Sequence, residues 1–192
     1  TPDDLKGLRM RFFGLGAKAM ENLGVSTSLL PGGEIFPALE KKAIDASEFS
    51  MPAIDKRLGF HKIAKYNYFP GWHQQATVFE LLINKDVYNA MSEQQKMVLE
   101  LITKAATLDA FAYTEAIQAA AMKENVEKNG VKQIYWSPEM LKAFKDAWEP
   151  VAADLSAKDE MFKKVWDNLS AFREEYKLWQ TYGFLPRPEP PK

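Results

Sequence analysis

The chain has 192 residues, 46% hydrophobic and 27% charged, which places it with folded proteins and away from the low-hydrophobicity signature of disorder. Lys and Arg number 25 against 26 Asp and Glu, for a formal net charge of -1, and the charges are mixed along the chain without the basic block that marks a nucleic-acid binder. There is no cysteine, which excludes disulfides, thiol nucleophiles and thiolate metal sites together, and no run reaches the ~18 apolar residues of a membrane span. The opening "TPDDLKG" lacks the basic and apolar regions of a signal peptide. It already approaches a strand, so the chain is expected to be cut from something longer.

Residues 8–13 predict a strand, with Leu8, Met10 and Phe12 on one face and Arg9, Arg11 and Phe13 on the other. Gly14 and Gly16 make the turn, and "AKAMENLG" predicts a short helix stopped by Gly24. "VSTSLL" is a second strand, ended by "PGG". "EIFPALEKKAID" is a second helix with Ile35, Leu39 and Ile44 on its apolar side, in which Pro37 fits only within the first turn. "ASEFS" is a short third strand. This alternation predicts an α/β fold with a parallel sheet and crossover helices.

Further along, "AIDKRLGF" reads as a short helix and "KIAKYNYF" as a strand ended by Pro70 and Gly71. A strand is expected over Val78 to Ile83, although no neighbour in the sequence pairs with it. Ser92 and Gln95 form a capping box that opens a helix running to about Gly130. Val98, Leu101, Ala105, Leu108 and Ala112 form its apolar face. At ~1.5 Å per residue it would be over about 50 Å long, a length that suits a connection between lobes. "VKQIYW" is a strand, after which Ser137 as N-cap and Pro138 open another helix. The last helix carries Phe162, Val165, Trp166, Leu169, Phe172, Tyr176 and Trp179, a stripe that reads as core packing or, being wide and near a chain end, as a partner surface. The tail "PRPEPPK" cannot continue a helix and is expected to be disordered.

Two readings of the first turn compete. "GLGAKA" matches the dinucleotide fingerprint G-x-G-x-x-A between a strand and a helix, which would make the chain a nucleotide-binding α/β enzyme using Gly14, Leu15 and Gly16. Against this, the strand before it carries Arg9 and Arg11 where nucleotide-binding strands run apolar. "VSTSLL" also ends without an acid for the ribose hydroxyls. In the second reading Arg11 is an anion anchor. Ligands of open parallel sheets gather beyond the carboxyl ends of the strands, and a guanidinium is a permanent cation with a planar fork matched to a carboxylate. "SEFSM" and "YNYFPGWHQQ" sit at strand ends. From them Phe49, Phe69 and Trp72 are candidate walls of a small-molecule pocket, and Glu48 and Gln74 candidate oxygen donors. His61 and His73 have no partner at metal-ligand spacing, and no nucleophile elbow is present.

The segments "LKGLRMR", "PGGEIFPALEKKAIDASEF" and "YFPGWH", in that order, resemble the substrate-binding proteins of tripartite ATP-independent periplasmic (TRAP) transporters. The likeness is greatest to the branch that binds 2-oxo acids, and it runs from the first residue to roughly Phe172. It implies a periplasmic, non-enzymatic protein that binds a small organic acid and serves integral membrane subunits of the transporter. The implied fold is periplasmic-binding-protein-like, with two lobes joined by crossing strands and a long connecting helix, of which this chain is the C-terminal portion. On that pattern residues 1–74 form the second α/β lobe, 75–130 a strand and helix crossing toward the first, 131–185 a return strand and C-terminal helices, and 186–192 the tail.

The resemblance makes Arg11 the carboxylate clamp and Phe49 a lining residue, where relatives often have tryptophan. The implied substrate-binding set is Arg11, Glu48, Phe49, Trp72, Gln74 and Phe79. In some relatives a carboxylate two residues beyond "PGW" helps hold a sodium or calcium ion bridging to the ligand. Here that position is Gln74, so Glu48, Phe49 and Gln74 are the candidate metal residues and no cofactor is required. The C-terminal helix is implied in homodimer contacts.

Overall fold

The computed structural model describes residues 1–74, 76–77 and 79–186. In chain order the elements are β1 (Arg9–Arg11), α1 (Leu15–Asn22), β2 (Ser26–Ser28), α2 (Gly32–Glu40), β3 (Ala46–Ser47), α3 (Pro52–Arg57) and β4 (Tyr66–Phe69). They continue with α4 (Lys85–Ala90), α5 (Glu93–Glu127), β5 (Lys132–Tyr135), α6 (Pro138–Lys158) and α7 (Glu160–Tyr182). By compactness the chain divides into two units. One compact unit gathers Thr1–Glu48, Tyr68–His73 and the residues from Gln133 onward; the other holds Phe49–Asn67 and Gln74–Lys132. No described helix is long and apolar enough to cross a membrane.

The first unit is built on the predicted parallel sheet, in the order β2-β1-β3. Arg9, Met10 and Arg11 pair with Ser26, Thr27 and Ser28 on one side, and Met10 and Arg11 with Ala46 and Ser47 on the other. Helices α1 and α2 make the two crossovers. Leu5, Phe12, Met20 and Val25 meet Met140 and Phe144 of α6 in the core, with Met10, Trp72, Trp136 and Leu141 half-buried around them. Helix α6 starts as predicted, with the Ser137 hydroxyl accepting from the Met140 amide at 3.2 Å.

Two expectations within this unit are corrected. Pro37 is the sixth residue of α2, not part of its first turn, because the helix begins at Gly32 behind an extended Pro31. A proline there forgoes the bond to the Gly33 carbonyl. In α7 the aromatic stripe is not core: the helix contains no buried residue. It packs on α6 through an edge-to-face contact of Trp148 and Trp166 at 5.5 Å, and beyond Ala171 every side chain of the helix is exposed.

In the second unit α3 lies against α5. The Ala53 amide donates to the Gln118 side-chain oxygen at 3.0 Å, Lys56 pairs with Glu124, and Ala53, Ala121 and Asn125 are buried. The predicted capping box closes the start of α5: Ser92 Oγ accepts from Gln95 N and Gln95 Oε1 from Ser92 N. The expected apolar face of α5 exists as a pattern but is uncovered, with Leu108 72% exposed. The strand expected from Val78 to Ile83 is not formed over 79–83, and Val78 lies outside the described residues. A strand's amides and carbonyls need a ladder partner. Sequence patterning also missed α4, which Asn84 caps by accepting from the Asp86 and Val87 amides. The disorder expected of the tail falls on residues 187–192, outside those described.

Candidate functional site

Arg11 ends the central strand of the sheet, at its carboxyl edge. Its neighbours in register are Ser28 and Ser47, the last residues of β2 and β3, so three chain directions terminate around one guanidinium. The residue is only 5% exposed. Its Nε donates to the Leu30 carbonyl at 3.1 Å, beyond β2. Its Nη1 donates to the Glu48 carbonyl at 2.8 Å and to Glu48 Oε1 at 2.6 Å, beyond β3. Glu48 Oε1 also accepts the Phe13 amide at 2.7 Å. The guanidinium thus stands on a strand and is held by groups that directly follow β2 and β3, which leaves its side chain little freedom. Arg9 behaves differently. It is an exposed partner of Asp45, to which Nη2 donates at 2.6 Å and Nε at 3.0 Å.

Beside Arg11 stand two further groups. Glu48 Oε2 lies 3.6 Å from His73 Nε2. Burial pushes the Glu48 carboxyl above its ordinary pKa, with the Arg11 charge and the Phe13 amide pulling the other way. Burial, and then the Arg11 charge, hold the His73 imidazole below its ordinary value, which favours the neutral ring. The His73 ring packs on Phe12 at 4.7 Å and Trp72 at 5.2 Å. Trp72 in turn stacks on Phe144 at 4.7 Å, with the planes 10° apart. Trp72 thus belongs to the core that supports His73.

These contacts also explain "GLG". Gly14 has φ of 62° at the turn into α1, a conformation side chains disfavour. A Cβ on Gly16 would come within 2.6 Å of the Phe12 ring and 2.9 Å of the His73 ring. Both glycines are thus accounted for by the turn and packing of this unit. His73 and the Leu30 carbonyl escaped the sequence reading as site groups. The only signal for His73 was its place after Trp72 in "PGWH".

The other expected residues belong to the second unit. Phe49 meets Phe60 edge-to-face at 6.0 Å, Gln74 Nε2 donates to Thr77 Oγ1 at 3.0 Å, and Phe79 is 91% exposed. As donors for a cation, Glu48 already spends its charge on Arg11, Phe49 has no side-chain oxygen and Gln74 is neutral. Among the described residues no three His, Asp or Glu side chains gather as a metal set. Calcium asks for about six to eight oxygens, carboxylates among them, so these residues do not fit a divalent ion.

Residues 1–159 match the family described as bacterial extracellular solute-binding protein, family 7 (DctP). A monocarboxylate 2-oxoacid-binding periplasmic protein of Nostoc sp. is 34% identical over 182 residues, which are 95% of this chain and 50% of the relative. The fold matches a TRAP transporter solute-binding protein of Bordetella bronchiseptica with a TM-score of 0.86 and 28% identity, over 95% of this chain and 55% of that one. That structure is described as a mixed-occupancy dimer with copurified calcium and picolinate. A TRAP periplasmic solute-binding protein of Pseudoalteromonas atlantica, with bound sodium and pyruvate, matches with a TM-score of 0.86 and 30% identity over 95% of this chain and 55% of that one. The chain spans about half the length of these relatives. Its sheet, its crossover helices and the family match over residues 1–159 agree: the chain belongs to the bacterial extracellular solute-binding proteins of family 7.

Proposed function

We propose that the whole protein is the periplasmic solute-binding component of a TRAP transporter. In this reading it captures a small organic acid, a 2-oxo acid such as pyruvate or a related carboxylate, and hands it to integral membrane subunits. The observation that carries the reading is Arg11, a buried guanidinium fixed at the carboxyl ends of three parallel strands by Leu30 and Glu48. The descriptions of the Nostoc and Pseudoalteromonas relatives support the choice of ligand class. Arg11 receives the ligand carboxylate and Glu48 holds Arg11 in place. Phe49 and Phe79 exclude water, Gln74 offers an amide oxygen and Trp72 backs the site through His73. Closure of two lobes around the acid makes a docking face for the membrane subunits, and no bond is made or broken. The stripe of α7 serves a homodimer.

Thermal melting of the full-length protein tests this. A 2-oxo acid at a hundred times its dissociation constant stabilises by roughly 2.7 kcal/mol, whereas NAD and ATP shift nothing. A shift with nucleotide and none with any acid would reverse the assignment.

A further inference from the structure

The second unit gathers a basic face that the sequence spreads over two distant stretches. Residues 53–67 and 121–132 hold seven Lys or Arg against three acids, in a chain that has 25 against 26. The fold joins them. The Lys132 amide donates to the Lys65 carbonyl at 2.8 Å, and Lys65 Nζ donates to the His61 and Asn129 carbonyls at 3.0 and 2.9 Å. Some of these cations serve the fold. Lys65 ties together the ends of two helical segments, where backbone carbonyls favour a cation. Lys56 pairs with Glu124, and Lys123 lies 3.9 Å from Glu127. Others do not serve it. Lys62 and Lys128 are exposed and have no ion-pair partner among the described residues, yet Lys62 acts on His61 and Lys128 on Glu124, so both charges fall on one region. Lys132 is exposed and stands over the Tyr66 ring at 5.5 Å. Burial, and then Lys62, Lys56 and Lys65, hold the His61 imidazole below its ordinary pKa. The second unit therefore bears a repulsion among cations that its own packing does not require.

Such a face suits an acidic partner, and two observations favour a protein over a lipid surface. Glu124 and Glu127 stand within the face, where a uniformly anionic headgroup layer would repel them and a protein can set cations opposite. Exposed tyrosines also accompany the cations: Tyr66 under Lys132, and Tyr113 in the groove beside Lys56 and Glu124. Tyrosine is a common anchor of protein interfaces. Resting on the transport reading above, we propose that this basic face docks an acidic surface of the membrane subunits, with Lys62 and Lys128 as its principal contacts. Charge complementarity of this kind acts on encounter rate and partner choice more than on final affinity. It therefore sets how much binding protein the transporter needs, not how tightly the acid is held.

Uptake of pyruvate into liposomes that carry the membrane subunits, followed against the concentration of added full-length protein, tests the proposal. Lys62→Glu with Lys128→Glu is expected to raise the half-saturating protein concentration about 10-fold or more at low salt, the lower end of electrostatic steering. The gap should close near ~1 M salt, where the screening length is about 3 Å. Lys62→Gln with Lys128→Gln should fall between. Calorimetry should give both variants the parent's pyruvate affinity, and circular dichroism the parent's fold. Lys18→Glu with Lys41→Glu, an equal charge change on exposed residues of the first unit, should behave as the parent. A Lys62→Glu, Lys128→Glu protein that half-saturates with its parent at low salt overturns the proposal. An equal rise in the Lys18, Lys41 control overturns its assignment to this face. Flotation of the parent, but not of the variant, with phosphatidylglycerol vesicles free of the subunits gives the face to lipid and overturns it too. Failure of the parent to bind any acid strikes the transport reading, whereas acid binding with uptake indifferent to salt strikes this proposal alone.

Discussion

Replacing Arg11 by alanine would leave the Glu48 carboxylate with the Phe13 amide and without its cation. Two losses follow, and they are separable. Acid binding should weaken by about 2–5 kcal/mol, the range for truncating one member of a buried charge pair. Stability should fall as well, because a half-buried carboxylate loses its partner. Calorimetry with pyruvate on protein shown to be folded by circular dichroism checks the first, and a loss of less than a few-fold would remove Arg11 from the clamp role. Arg11→Lys keeps the charge but not the planar fork that reaches Leu30 and Glu48 together, so it should recover only part of the binding. Gly16 supplies a second test at this scale. An alanine methyl would press on the rings of Phe12 and His73 at 2.6 and 2.9 Å. Overpacking of that kind costs about 1–3 kcal/mol, and Gly16→Ala should show it in urea unfolding. Unchanged stability would mean that the glycine is not there for packing.

Among the elements, β1 and β3 are joined outside their ladder by an exposed pair, Arg9 on β1 and Asp45 just before β3. Bonds from the Arg9 side chain and then its amide draw the Asp45 pKa from 3.8 down to about 2. Because the folded pKa is depressed, the pair's contribution is present above the ordinary carboxylate value and is lost as pH falls through the folded one. Asp45→Asn should therefore lower the melting temperature near neutrality and flatten its decline between pH 3.8 and about 2. The effect should be modest, since an exposed pair is screened, and parallel curves for the two proteins would refute it. The strand–helix alternation of this region was legible because its turns fall on residues with local meaning, Gly14 and Gly24, both at positive φ. The place of Arg11 toward the carboxyl end of its strand was legible as well. What could not be read were features decided by distant partners. Residues 79–83 have the composition of a strand, yet strand structure needs a neighbour's backbone. His73 meets Glu48 through a side-chain contact between residues far apart in the sequence. The Leu30 carbonyl carries no side-chain signal at all.

At the scale of the whole molecule, the unspent apolar surface is the main fact, and both α5 and α7 carry it. The first half of α7 is fastened to α6 by Trp166 against Trp148, with Phe162 stacked on Trp166 at 6.3 Å. Its second half has no such anchor: Phe172 and Tyr176 stack only on each other at 5.5 Å among the ring contacts described, and Phe172 and Trp179 are 57% and 58% exposed. Contiguous apolar surface of this kind marks an interaction site more often than an accident, and the Bordetella relative is described as a dimer. If a second copy covers the stripe, Phe172→Glu with Trp179→Glu should turn a dimer into a monomer in sedimentation velocity. The same two changes should leave the first unit's core unaffected, because neither side chain reaches Phe144 or its neighbours in the buried cluster. The melting temperature of the double variant should then lose its dependence on protein concentration, since only association makes melting concentration-dependent. A parent protein that sediments as a monomer at all concentrations, with melting unaffected by the substitutions, would remove the dimer role from α7.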